Sequence, residues 1–441
     1  MIPYKLEQPD LSTISPERKA YLSENKYSLY FQYNLGQYSD EKYLYWDKIR
    51  FHDIPPELES HEELWYVIRS CRILRRTVIR DASGEAFGLE KPNFLEELTH
   101  ILDYSLGGSF LGIHLTESER KIFLQNGIVE EAISSSQLEG ALTTSKDARD
   151  MIAKGRRPVT IHEKMILNNY KAMNFVNSRE FLDQKLSRAG LLELQSILTK
   201  DTLEKKDQEG RWRNDSDEIV IQNDTGTKIY HIPPSEKILQ EELDRFISFA
   251  NDEEKGFTHP FIKATLLHFW IGYLHPFCDG NGRTARAIFY WYLLKKGYWG
   301  LSYIPISQVI KDSKIQYLNA YLYSEQDHND LTYFLVYIAN KTKQAFKIFE
   351  EYVDKKKDKQ KTIFTELSHL RLNERQNKLI AYFLQNPKSY TNNSIHKNYY
   401  GIAIDTAKKD LEELLKKGFL TKEKQGLYVN YFPLPNLAEL I

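Results

Sequence analysis

Apolar residues three and four positions apart run through most of the chain, which is the rhythm of amphipathic helices. In "SHEELWYVIRSCRILRR" (60–76), Ser60 stands at an N-cap position with Glu63 at capping-box spacing, and Leu64, Val67, Ile68 and Cys71 follow at helical spacing. The same period in "TESERKIFLQNGIVEEAISSSQLEGA" and "TIHEKMILNNYKAMNFV" predicts helices between Thr116 and Phe175. It breaks at "DEIVIQNDTGTKIYHIPP" (217–234): Ile219 and Ile221 alternate with other positions, "NDTGT" supplies a turn, "KIYHI" alternates again, and Pro233 and Pro234 end the run. This predicts a β-hairpin in a helical chain. A lone hairpin is marginal in water, so it must pack on the body or serve as a flap. Helices resume in "HPFIKATLLHFWIGYL", where Leu266, Leu267, Trp270, Ile271 and Leu274 form an apolar face, and in "RAIFYWYLLKKG", which closes at Gly297.

Toward the end, "KKKDKQK" (355–361) reads as a solvated helix end or linker and marks a domain boundary. Beyond it the pattern is helix, short helix, helix and a turn-linked strand pair, the order of a winged helix-turn-helix. The expected organisation is a helical region over 1–105, an all-α domain with the inserted hairpin over 106–345, and a linker with a winged-helix-like domain over 346–441. There is no internal repeat.

Composition changes this picture little. Hydrophobic residues make up 41% and charged residues 27% of the 441, ordinary for a soluble globular protein. With 60 basic and 61 acidic residues the net charge is -1, so contact with nucleic acid would need a local patch rather than a global field. Two cysteines, Cys71 and Cys278, are too few for a disulfide framework and fit a reducing compartment, the cytoplasm. The opening residues lack a basic and then apolar leader, and no long uncharged apolar run occurs, so neither secretion nor a membrane span is expected.

The chemistry concentrates in "IGYLHPFCDGNGRTARAIFYWYLL" (271–294). Gly280 and Gly282 flank Asn281 just before a helix, which frees backbone N–H groups to converge where the helix dipole adds positive charge. Arg283 and Arg286 stand in the first turn, where cations oppose the dipole unless an anion such as polyphosphate is present. Asp279 beside that site would repel phosphate unless a hard cation bridges them, which points to Mg²⁺. His275, ending the preceding helix, has an ordinary pKa near 6.5 that leaves it free to take a proton from a hydroxyl. Phe277 is the apolar anchor of the loop. Together these residues specify a hydroxyl nucleophile attacking a metal-bound nucleotide phosphate.

"HPFCDGNGRTAR" resembles the Fic signature H-P-F-x-(D/E)-G-N-G-R-x-x-R at all nine specified positions of twelve. The resemblance implies a helical bundle with the motif loop (275–286) between two helices. It also implies transfer of AMP from ATP to a Ser, Thr or Tyr hydroxyl of a protein, with pyrophosphate released. By motif position His275 would be the general base, Asp279 the Mg²⁺ ligand, Gly280, Asn281 and Gly282 the phosphate cradle, and Arg283 and Arg286 the phosphate-holding cations, with Phe277 as anchor. The hairpin would be the flap on whose edge a target segment lies as an added strand.

In "ISSSQLEGA" (133–141), Ser135 and Glu139 share a helix face and Gly140 follows where a helix can end. A carboxylate near a helix C-terminus is unfavourable without a cationic partner. The stretch resembles the Fic inhibitory motif (S/T)-x-x-x-E-(G/N), which implies an inhibitory helix over about 131–140 ahead of the core. Glu139 would then pair with Arg286 and occupy the place of the ATP γ-phosphate. Such a pair at 4 Å is worth ~4 kcal/mol before desolvation. Some members with this brake also remove AMP from the target, and dimerisation is common among them; for this chain the expected partners are a target protein hydroxyl, its own chain in self-modification, and a second copy in a homodimer. Relatives with other donors leave the nucleotide open. The competing reading is a nucleotide-sensing DNA-binding regulator, against which the intact His275 argues. In the tail, Lys408, Lys409, Lys416 and Lys417 are diluted by Asp410, Glu412 and Glu413, so it suits protein about as well as DNA.

Overall fold

The computed structural model describes residues 3–440 apart from 41, 76, 81–85, 108–116, 224, 368–369, 386, 388 and 426–427. The chain is mainly helical and divides into two compact units, Met1–Lys347 and Ile348–Ile441.

In the first unit, α1 (Pro16–Gln32) is capped by Ser15, whose hydroxyl accepts from Arg18 N at 3.2 Å. Pro16 takes the first helical position, where a missing N–H is harmless. A short α2 (Trp46–Ile49) leads to α3 (His61–Arg75). Ser60 does cap α3, accepting from Glu63 N at 3.2 Å, but the Glu63 carboxylate reaches Glu59 N at 2.9 Å and Arg18 rather than closing a box on Ser60. The core around Leu22, Trp46, Trp65 and Ile68 also includes Tyr333 and Val336, far along the chain. Residues 1–105 therefore belong to the same compact unit as the helices after them, up to Lys347.

That region is not wholly helical, contrary to expectation. β1 (Thr77–Arg80) pairs antiparallel with β2 (Ala86–Leu89), Thr77 opposite Leu89. The helical period ends at Arg75, and Thr77, Val78 and Ile79 are β-branched, which favours the pleated state.

Next come α4 (Asn93–Leu102), α5 (Glu117–Leu138), α6 (Ser145–Ala153), α7 (Ile161–Val176), α8 (Arg179–Asp183) and α9 (Arg188–Thr199). Thr116 itself lies outside the described residues. Thr144, Thr160, Ser178 and Ser187 cap α6 to α9 with their hydroxyls, which satisfies an N–H that the first turn leaves unpaired. The hairpin is shorter than its alternation suggests: Asp215–Asp217 form a 3₁₀ turn, and only β3 (Ile221–Gln222) and β4 (Ile229–His231) pair, with a bulge between Ile221 and Gln222.

After α10 (Glu236–Ala250), the central helices α11 (Pro260–Leu274) and α12 (Asn281–Lys295) carry the site loop between them. α11 is buried nearly all round, not on one face alone, because other helices surround it. α12 is left through Gly297, whose φ of 90° suits a helix exit. The remaining helices are α13 (Ile306–Lys311), α14 (Lys314–Gln326) and α15 (Thr332–Leu367). The lysine-rich stretch lies inside α15, since no glycine or proline interrupts 332–367 and lysine is a good helix former.

The second unit has its own core of Leu379, Ile380, Phe383, Leu411, Leu414, Leu420 and Tyr431. It comprises α16 (Glu374–Gln385), α17 (Asn393–Tyr400), α18 (Ile404–Lys416), and the antiparallel ribbon of β5 (Leu420–Gln425) and β6 (Tyr428–Pro433). Asp410 does not dilute the lysines of α18: it is buried and accepts from Arg375 Nε at 2.7 Å and Asn373 Nδ2 at 2.8 Å. Among the described residues, no helix is long and apolar enough to cross a membrane.

Candidate active site

The site is built where α11 ends and α12 begins. His275 caps α11 in the left-handed region, φ 45° and ψ 57°, a conformation that a non-glycine residue holds only when its surroundings impose it. Arg213 imposes it. Its Nε donates to His275 O at 2.7 Å and its Nη2 to Leu274 O at 3.1 Å and Pro234 O at 2.6 Å, while Arg213 N donates to Pro276 O at 2.9 Å. One buried guanidinium thus satisfies carbonyls that the end of α11 leaves open and joins them to the chain just beyond the hairpin.

The loop is clasped from within. Asn281 Oδ1 accepts from Phe277 N at 2.9 Å and its Nδ2 donates to Phe277 O at 2.8 Å. The Asn281 side chain is therefore a clasp, and only its backbone N–H is left for an anion. Phe277 is fully buried, stacked on Trp212 with centroids 5.0 Å apart and planes 15° apart. Beside Trp212, Arg211 grips Asp217 through two bonds of 2.8 Å. From α9, Gln195 donates to Asp279 O at 3.3 Å and accepts from Gly210 N at 2.6 Å. Arg211, Trp212, Arg213 and Gln195 were not singled out by sequence reasoning. The only local signal was "GRWRN" (210–214), two arginines around a tryptophan directly after a glycine.

The sequence-derived residues converge. Gly280 is the N-cap of α12 at φ 85°, which suits glycine, and a Cβ there would press on Thr199 Cγ2 at 3.0 Å. The first N–H groups of α12 have no carbonyl within the helix and open toward the loop. Asp279, with half of its side chain exposed, accepts from Gly280 N at 2.5 Å and lies 3.3 Å from Arg283 Nη2. Arg283 is buried and also donates to Leu198 O at 2.9 Å.

Ser135 and Glu139 meet Arg286 across 147 and more residues of sequence. Arg286 Nε donates to Ser135 Oγ at 2.8 Å, and its Nη2 donates to Glu139 Oε1 at 2.8 Å and Ser135 O at 3.1 Å. Arg286 Nη1 is buried with no protein partner. Helix α5 ends at Leu138, so Glu139 stands just beyond it and Gly140 follows at φ 96°. A methyl group at Gly282 would overlap Glu139 Oε1, so the carboxylate lies on the opening of the helix N-terminus. Further along the same face, Glu131 is buried and accepts from Tyr290 Oη at 2.8 Å, Ser307 N at 3.0 Å and the Ser307 hydroxyl, which fixes the rotation of α5.

The charges of the site reflect this packing. Burial, and after it the charge of His231, pushes the His275 imidazole down to about 4. His275 Nδ1 lies 3.3 Å from Gly272 O, which assigns the ring proton to Nδ1 and leaves the Nε2 lone pair free. Burial opposes ionisation of Glu139, but Arg286 and Arg283 outweigh it and hold the carboxyl below its usual range. On β4, His231 joins Glu325 Oε2 through Nδ1 and Tyr273 O through Nε2, each at 2.7 Å. Burial alone would lower His231, yet the bond to Glu325 prevails and raises it.

Asp279 offers a half-exposed carboxylate at the loop mouth, and among the described residues no group of three or more His, Cys, Asp or Glu could hold a metal by itself. Such a set fits Mg²⁺ that is shared with phosphate oxygens. The unpartnered Arg286 Nη1 and the open N–H groups fit the phosphates themselves.

Residues 185–293 match the model of the Fic/DOC family. The chain is 29% identical over 117 residues to protein adenylyltransferase Fic of Nematostella vectensis, covering 26% of this chain and 25% of that one. It is 40% identical over 68 residues to protein adenylyltransferase Fic of Drosophila melanogaster, 15% of this chain and 14% of the relative. The chain thus spans about a quarter or less of the length of these curated relatives. Among solved structures, Fic-1 of C. elegans is similar in fold, with a TM-score of 0.51 at 16% identity over 78% of this chain and 91% of that one.

Proposed function

The chain carries a Fic domain, and on that premise we propose that the protein transfers AMP from ATP to a hydroxyl of a protein and restrains itself through Glu139. The observation that carries the reading is the Glu139–Arg286 pair of 2.8 Å over the N-terminus of α12. In the transfer, the target hydroxyl gives its proton to His275 Nε2 as its oxygen attacks the α-phosphorus. The bond from that phosphorus to the bridging oxygen breaks, and pyrophosphate leaves. Arg286 and the first N–H groups of α12 hold the β- and γ-phosphates, and Arg283 supports Asp279. Asp279 would hold Mg²⁺, which supplies neutralisation of phosphate charge.

Because His275 stays neutral well below physiological pH, it meets the hydroxyl already in its proton-accepting form. The restraint comes from Glu139, which competes for Arg286 and for the space over Gly282. In hydrolytic removal of AMP, the same carboxylate would orient a water that attacks the phosphorus, while the bond to the target oxygen breaks and that oxygen takes up a proton.

The test is incubation with α-labelled ATP and Mg²⁺, reading label on protein. Wild type should label weakly, Glu139→Gly strongly, and the Glu139→Gly/His275→Ala double variant not at all. Absence of label from all three, with ATP binding measured, would overturn the reading.

A further inference from the structure

The outer edge of the flap is already occupied. Just before β4, Lys228 O faces the other arm of the hairpin and accepts from Asn223 N at 3.0 Å, so the next carbonyl, Ile229 O, faces the other way. That carbonyl accepts from Tyr4 N at 2.6 Å. Along the same edge, residues 4–6 also meet the end of α14, where the carboxamide of Gln326 acts like a piece of strand backbone: Nε2 donates to Tyr4 O at 2.9 Å and Oε1 accepts from Leu6 N at 2.8 Å. Side chains add little selectivity. The Tyr4 ring meets Tyr230 edge-on at 6.0 Å, and Lys228 Nζ lies 4.9 Å from its centre.

Three main-chain groups of residues 4 and 6 are therefore read by one carbonyl and one carboxamide, an arrangement indifferent to sequence. The neighbouring Glu325 holds β4 through His231, so consecutive residues of α14 fix the flap and the added segment. Tyr4, Lys5, Glu7 and Gln8 are exposed and only Leu6 is partly buried, which places the segment among the least stably held parts of the fold.

We propose that the outer edge of β4 together with Gln326 is a backbone clamp for an extended peptide, and that residues 4–6 of this chain fill it in cis until a target segment displaces them. The word target rests on the AMP-transfer reading; the clamp does not. The occupant it fits is a peptide in β conformation that presents an N–H and a C=O at one residue and a second N–H two residues on. The cis segment competes for the dock, a restraint separate from the Glu139–Arg286 pair.

The experiment uses the full chain without ATP, so that failure of AMP transfer leaves it unaffected. The probe is a fluorescent peptide of residues 1–8, followed by anisotropy. Proline has no N–H, so a Tyr4→Pro/Leu6→Pro variant loses both donors of its own segment. It should bind the peptide at least tenfold more tightly than wild type, and adding Gln326→Leu should abolish that gain. Equal binding by wild type and the proline variant, or a gain that survives Gln326→Leu, would overturn the clamp. Should the proline variant melt early, the wild-type chain carries the test by nuclear magnetic resonance with ¹⁵N label. Excess unlabelled peptide should then accelerate hydrogen exchange at the Tyr4 and Leu6 amides, and unchanged exchange there sinks the proposal.

Discussion

The motif loop and the flap are both anchored at the C-terminal end of α11, but by different means. The loop is held from inside by buried polar bonds: Asn281 closes on Phe277, Arg213 closes on three carbonyls, and Gln195 spans Asp279 and Gly210. The flap has two strands of two and three residues, fastened at its edges by His231, Glu325 and a single bond from Tyr4. Chemistry on a phosphate needs groups fixed to within a fraction of an ångström, while reading a peptide backbone tolerates adjustment. On the proposed function, the two regions divide those demands.

The largest effect should come from the loop side. Arg213→Met leaves carbonyls at the end of α11 without a donor, at ~1–3 kcal/mol for an unsatisfied buried group. Its transfer rate in a Glu139→Gly background should fall at least about tenfold, since a misplaced base loses much of the 10²–10⁴ that general base catalysis supplies. A rate unchanged in Arg213→Met would mean that His275 is positioned otherwise. Asn281→Ala should come next, lowering the melting temperature by several degrees for ~1–3 kcal/mol of lost clasp, as a thermal melt would show.

On the flap side the effect should be smaller and differ in kind. His231→Gln should raise KM for the acceptor about fivefold, equivalent to ~1 kcal/mol for a charge-assisted bond, with kcat nearly kept. His231 has its folded-state pKa raised, so its ionic bond to Glu325 is complete below the ordinary imidazole range and is lost as pH rises through the raised value. Acceptor KM in wild type should therefore climb on the alkaline side, and in His231→Gln it should not. Smallest of all, the rate at saturating acceptor should stay flat from neutral pH down to about 5. It should fall only as pH approaches the value of about 4 to which His275 is lowered. A kinetic pKa near 6.5 would remove the distinction between a rigid, desolvated base and an adaptable rim.

Legibility in the sequence shows the same division. The loop residues His275 to Arg286 are contiguous and stand out before any fold is known, whereas Ser135 and Glu139 read by themselves as an ordinary helix end and are singled out only by the resemblance to the inhibitory motif. The mainly helical class was equally visible in the three-four spacing. What could not be read were bonds between distant segments: Arg213 to the end of α11, His231 to Glu325, Tyr4 to Ile229. No local pattern encodes a carbonyl that lacks a donor. The hairpin of β1 and β2 escaped because it comes directly after the helix α3, and the flap was overestimated because alternation persists where backbone pairing stops.

The close approach of Glu139 to Gly282 has a consequence for nucleotide response. If carboxylate and γ-phosphate cannot share that space, the apparent affinity for productively bound ATP is the intrinsic affinity scaled by the fraction of molecules in which the glutamate has swung away. On the proposed function, the restraint is then a population rather than a shape. Anything that changes the freedom of the last turn of α5 would alter output with no new contact to the substrate.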